Sequence, residues 1–133
     1  SNTTKKVEKK ETKPAVSGPA ASPASIKKIR YFTDDTHTRI VLDLDEAVTY
    51  KDAALPQDTK SGTPPRIYVD VVGAGLSTGL YGPLSVKDGL VSRIRWSKKE
   101  GAVGVVLELE KKADYTVFRL ANPHRLVIDV KRN

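Results

Sequence analysis

The chain has 133 residues, no cysteine, 38% hydrophobic residues, and 23 Lys+Arg against 16 Asp+Glu, giving a net charge of +7. That is one domain's length; disulfide and thiolate chemistry are excluded, and no run of about 18 apolar residues offers a membrane span. The charge is no nucleic-acid signature: five lysines and two glutamates in residues 1–25 supply +3 of it, and no row of aromatics interleaves with the basic residues that remain.

Residues 1–25 are Lys-, Pro- and Ala-rich, with Val7 and Val16 as their only bulky apolar side chains. They cannot offset the entropy of ordering, so a flexible linker is expected, extended by Pro14, Pro19 and Pro23. Ser1-Asn2 reads as an expression scar, with the natural chain, including a signal sequence, expected upstream.

From residue 26 to 133 the pattern has period two, with turn residues between segments. Strands are expected near 26–32, 38–45, 48–55 and 66–72, then near 91–97, 103–110, 113–120 and 125–131. Side chains alternate along a strand, so Ile40, Leu42 and Leu44 point inward and Arg39, Val41, Asp43 and Asp45 outward. Val103, Val105, Leu107 and Leu109 repeat the inward set. Ile67, Val69 and Val71, and Leu126, Ile128 and Val130, face inward with Arg66, Asp70, Arg125 and Asp129 on the outer side. The segment at 48–55 is compatible with a helix through Tyr50 to Leu55, but its strand-like counterpart Tyr115 to Leu120 decides for a strand.

The segments are written twice. Ile29-Arg30-Tyr31 returns as Ile94-Arg95-Trp96, and Leu42-Asp43-Leu44 as Leu107-Glu108-Leu109, both 65 positions on; Arg66 to Val71 returns as Arg125 to Val130, 59 positions on. The lost six residues fall at 57–64, a polar Gly- and Pro-containing stretch where an insertion costs little. Two like halves, about 26–72 and 91–131, predict an all-β sandwich of two similar four-stranded sheets whose apolar faces bury each other. Tyr31 and Trp96 share inward parity and are expected in the core, whereas Phe32 and Tyr81 are expected to be exposed.

The search for chemistry returns little. His37 and His124 sit in turn-like settings without partners at metal-ligating spacing, so both read as solvated and no metal or cofactor is expected. Gly73-Ala74-Gly75 weakly resembles a phosphate-binding turn, but Gly82-Pro83 leaves no room for the helix such a site needs, so it reads as the connector between halves. No nucleophile setting or acid and base pair stands out, and no catalytic residue is assigned.

Arg39-Ile40-Val41-Leu42-Asp43-Leu44, Tyr50 and Pro65-Arg66-Ile67-Tyr68-Val69-Asp70-Val71 do carry a resemblance, and so does the run from Tyr115 through Ala121-Asn122-Pro123-His124-Arg125 to Val130. Over about Ile26 to Val130 the chain resembles the AMIN domain of periplasmic N-acetylmuramoyl-L-alanine amidases and type IV pilus secretins. The resemblance implies a non-catalytic, peptidoglycan-binding module that localises its host in the Gram-negative type of cell envelope. In the amidases a separate zinc-dependent catalytic domain follows. One departure is that Arg39 aligns with Gly104, so one copy lacks an outward arginine and only one half would bind if that arginine contacts ligand.

On that reading Arg30, Arg39, Arg66, Arg95 and Arg125 are candidates to meet stem-peptide carboxylates, with Asp70, Asp43 and Asp129 bracing them or taking an ammonium, and Tyr68 a candidate for stacking on a sugar. The bland alternative is cross-strand Arg and Asp pairs on a wet sheet, worth a few tenths to about 1 kcal/mol each. A protein-interaction module, docking an envelope, divisome or pilus protein by strand addition, is the alternative from another class.

Overall fold

The computed structural model describes residues 23–132, so the linker expected over 1–25 lies almost wholly outside the described residues. Ten strands are described: β1 (Ala24–Thr33), β2 (His37–Leu44), β3 (Thr49–Leu55), β4 (Arg66–Val72), β5 (Ala74–Leu76), β6 (Leu84–Ser85), β7 (Val91–Lys99), β8 (Ala102–Leu109), β9 (Tyr115–Leu120) and β10 (Arg125–Lys131). They form two sheets in the orders β5-β1-β2-β10-β9 and β3-β4-β8-β7-β6. The fold is therefore the expected β-sandwich, with β1 starting two residues early and five strands per sheet instead of four. The additions are short and lie between the halves. Ala74 to Leu76, read from the sequence as connector, pairs parallel to the start of β1, and Leu84 and Ser85 pair with β7.

The halves do not each build a sheet. β2 pairs with β10 and β4 with β8, both antiparallel, so each sheet takes one hairpin from each copy. The cause is local. After β2 the chain leaves its sheet through Asp45 to Val48 and opens β3 in the other, and Glu110 to Asp114 does the same between β8 and β9. A few extended residues at about 3.3 Å each span the roughly 10 Å between packed sheets. Val48, buried at the crossing, anchors the first of these turns.

The core lies between the sheets and is built of the expected inward residues, with Ile40, Leu42, Ile67, Val69, Leu107, Leu126 and Ile128 fully buried. Removing such a side chain to Ala costs about 2–5 kcal/mol, because a packed interior collapses only partly around the hole. Ile26 and Ile29 both point inward although three residues apart, and the register shift between Ile26 and Lys28 explains it, since a bulge absorbs one residue. The same shift recurs 65 positions on, between Val91 and Arg93, and brings Val91 and Ile94 inward. The repeat thus extends to backbone irregularities.

One core expectation fails. Trp96 packs against the core as expected, but its counterpart Tyr31 is 37% exposed and only its hydroxyl reaches back, donating to the Ser85 carbonyl at 3.3 Å. Trp96 lies against Gly82 in the connector, where even a Cβ would be too close to its ring. Phe32 and Tyr81 are exposed as expected.

Candidate functional site

Because inward positions are aliphatic, the charged residues of the strands project from two outer faces. On the first sheet the registers of β1, β2, β10 and β9 align three rows across the face: Phe32, Arg39, Asp129 and Thr116; then Arg30, Val41, Val127 and Phe118; then Lys28, Asp43, Arg125 and Leu120. Arg30 forks onto Asp43, Nε to Oδ2 at 2.6 Å and Nη2 to Oδ1 at 2.9 Å. Arg39 forks likewise onto Asp129, at 2.7 and 2.8 Å. The hydrogen bonds from Arg30 hold the Asp43 carboxyl below the usual range despite its partial burial.

Aromatic rings support both guanidiniums. The Arg30 Cζ lies 5.5 Å from the Phe32 ring centroid and the Arg39 Cζ 5.7 Å from that of Phe118, within cation–π range. Arg125 faces Asp43 across the ladder and its charge helps to lower that carboxyl's pKa, while its Nε donates to the Pro123 carbonyl at 3.0 Å. Arg30, Arg39 and Arg125 border one open depression of about 390 Å³ whose walls include Phe32, Val41 and Val127. Val41 and Asp129 face outward yet are buried, at 5% and 6%, because the arginines lie over them.

The second sheet carries the copied rows. Leu55, Arg66, Glu108 and Arg93 form one; Ala53, Tyr68, Val106 and Arg95 the next; and Lys51, Asp70, Gly104 and Ser97 the third. Glu108 accepts from Arg93 Nε and Arg95 Nε, both at 2.8 Å, and these bonds, Arg93's first, hold its pKa low. Arg66 mirrors Arg125, donating from Nε to the Pro64 carbonyl at 3.1 Å. Asp70 faces Gly104 in the register and is met by Lys99 Nζ at 3.0 Å.

The seven candidates from the sequence therefore fall into two groups on opposite faces: Arg30, Arg39 and Arg125 on the first sheet, and Arg66, Tyr68, Asp70 and Arg95 on the second. Arg39 and Arg66, from the same half, do not share a surface. The bland cross-strand pairing is present for Arg30 and Arg39 with aspartates and for Arg95 with Glu108, whereas Arg66 and Arg125 donate to backbone carbonyls and Asp70 is met by a lysine. The sequence reading missed Phe118, Arg93 and Lys99. The alignment of Arg39 with Gly104 was the available signal for Lys99, since it left Asp70 without a neighbour.

Among the described residues no group of three or more His, Cys, Asp or Glu could hold a metal ion, and no helix is long and apolar enough to cross a membrane. The all-β sandwich thus buries a mainly aliphatic core and displays on its two outer faces copied rows of arginines, most of them anchored by carboxylates. The AMIN domain family matches residues 48–116 and 93–133, and the chain belongs to that family. It is a non-catalytic, periplasmic family, known as a peptidoglycan-binding and localising module of amidases and secretins. No curated protein matches the chain.

Proposed function

We propose that this chain is the wall-targeting module of a longer periplasmic protein, an N-acetylmuramoyl-L-alanine amidase, and that it binds peptidoglycan without catalysing its cleavage. Membership of the AMIN family carries this reading. The outer face of the β1-β2-β10-β9 sheet supplies suitable chemistry: guanidiniums held in place by carboxylates and rings lose little entropy on meeting a further anion. Peptidoglycan offers such anions in the carboxylates of its stem peptides.

The test is co-sedimentation of the chain with purified sacculi at several salt concentrations, with the Arg30→Ala/Arg125→Ala variant checked for folding beside it. Retention of the wild type that the variant loses supports the reading. A wild type left in the supernatant at every salt concentration overturns it and turns the search to protein partners, for which the exposed edge strand β3 offers a docking line.

A further inference from the structure

The outer faces are copies of one another, so the positions at which they differ isolate what one face has that the other lacks. Arg30 and Arg95, Asp43 and Glu108, Arg125 and Arg66, and Val41 and Val106 are equivalent pairs of like chemistry. Phe32, Arg39 and Phe118 on the first sheet stand instead where Ser97, Gly104 and Ala53 stand on the second. These three are neighbours in space: Phe32 faces Arg39 across β1 and β2, and Arg39 lies over Phe118. Val127 and Thr116 differ as well, standing where Tyr68 and Lys51 stand, so the differences centre on two adjacent rows of the face, of which Phe32, Arg39 and Val127 border the depression between the arginines.

The chemistry of the patch selects its ligand. Each fork onto an aspartate uses Nε and Nη2, so the Nη1 donors of Arg30 and Arg39 are not engaged by those carboxylates. The Arg30 and Arg39 guanidiniums are held by ring and carboxylate together, and Arg125, whose Nε donates to a backbone carbonyl, adds a third positive charge to a depression that the Asp34 carboxylate also borders. Oriented N–H donors of this kind suit a carboxylate, and the Val41 and Val127 wall suits the short aliphatic stem that carries one. A sugar ring is poorly served, since one side of each phenyl ring is already occupied by a guanidinium.

We propose that the β1-β2-β10-β9 face is the binding face of this domain, that it takes the carboxylates of the wall's stem peptides rather than its glycan, and that the copied face of the other sheet is not a ligand site. This rests on the wall-binding reading above. Each molecule then holds one strand of the wall instead of bridging two.

The full chain is titrated calorimetrically with two probes: soluble disaccharide-tetrapeptide and glycan strands stripped of peptide. Sedimentation with intact sacculi runs in parallel. Wild type is expected to bind the peptide-bearing probe and not the stripped glycan. Arg39→Gln and Arg125→Gln should each weaken that binding about ten-fold or more, and Tyr68→Ala on the other face by less than about two-fold. Among the described residues Arg125 hydrogen-bonds only to backbone carbonyls, so its variant keeps the test valid if Arg39→Gln folds poorly, as Trp96 fluorescence would report. Retention on sacculi with binding to stripped glycan, or loss in Tyr68→Ala but not in Arg125→Gln, overturns the assignment while leaving wall binding intact. Failure to sediment with sacculi at all overturns the wall-binding reading and this inference with it.

Discussion

Lys99 Nζ stands 3.0 Å from Asp70 Oδ1, supplying from the end of β7 the positive charge that Arg39 supplies to Asp129 from directly across the ladder. The position facing Asp70 is Gly104, where a Cβ would lie 3.3 Å from Asp70 Oδ1 and 3.4 Å from Lys99 Cδ. The same carboxylate position has thus been satisfied in two ways, and the two differ in cost of removal. Asp129 retains 9% of its side-chain exposure and Asp70 32%. Arg39→Ala should therefore destabilise by about 2–3 kcal/mol, because a covered carboxylate loses its partner. Lys99→Ala should cost under about 0.5 kcal/mol. Urea unfolding curves of the two variants measure both.

Gly104→Arg combined with Lys99→Ala should restore the missing arginine opposite Asp70. The only tight neighbours of a Cβ at residue 104 are side-chain atoms, and one of them is deleted in the variant. Stability within about 1 kcal/mol of wild type is expected, again by urea unfolding. A loss well beyond that would mean the two faces are no longer geometrically equivalent.

Asp88, in the connector between the halves, accepts hydrogen bonds from Thr38 Oγ1, from Thr33 Oγ1 at 2.8 Å and from the Leu90 and Val91 amides at 3.0 and 2.9 Å, and pairs with Arg132 at 3.1 Å. Burial alone would raise its pKa, but the hydrogen bonds from Thr38, Val91, Thr33 and Leu90 outweigh it and hold the value at about 2. A folded pKa below the unfolded one contributes stability that is complete above about pH 5 and lost as pH falls through about 2. For this shift the contribution is about 2 kcal/mol. Asp88→Asn should lower stability at pH 7 by a similar amount and flatten the loss between pH 5 and 2. The remaining slope reports Asp34, Asp43 and Glu108, whose pKa values are also lowered. Thermal melts across that range check it.

Gly82 touches the only tryptophan. A Cβ there would lie 2.6 Å from Trp96 Cη2 and 2.8 Å from Cζ2, both atoms of a rigid ring. Gly82→Ala should push the indole off the connector, costing about 1–3 kcal/mol and shifting Trp96 emission to the red as water gains access. Unchanged emission would mean that the connector moves instead of the ring.

The strands, the inward residues and the doubling were legible because alternation and repetition are local properties of a sequence. Even the uncertain segment at Tyr50 to Leu55 came out correctly as β3 through its counterpart. The exchange of hairpins between sheets was not legible. It depends on β2 meeting β10 and β4 meeting β8, and neither the period nor the offset of 65 says which edges meet. For the same reason the arginines could be named but not grouped: Arg39 and Asp129 are 90 positions apart, and their neighbourhood is set by pairing alone. Tyr31 misled because parity sets only which way a side chain points: Trp96 packs beneath Gly82, whereas Tyr31, with the same parity, stays 37% exposed.

The most direct measurement is a residue-by-residue map of amide chemical-shift changes as soluble, peptide-bearing wall fragments are added to the labelled chain. The account predicts changes clustered on one outer face, at Arg30, Phe32, Arg39, Phe118 and Arg125, with Tyr68, Asp70 and Arg95 unmoved. Changes centred on the β4 and β8 face, or along the open edge of β3, would contradict it.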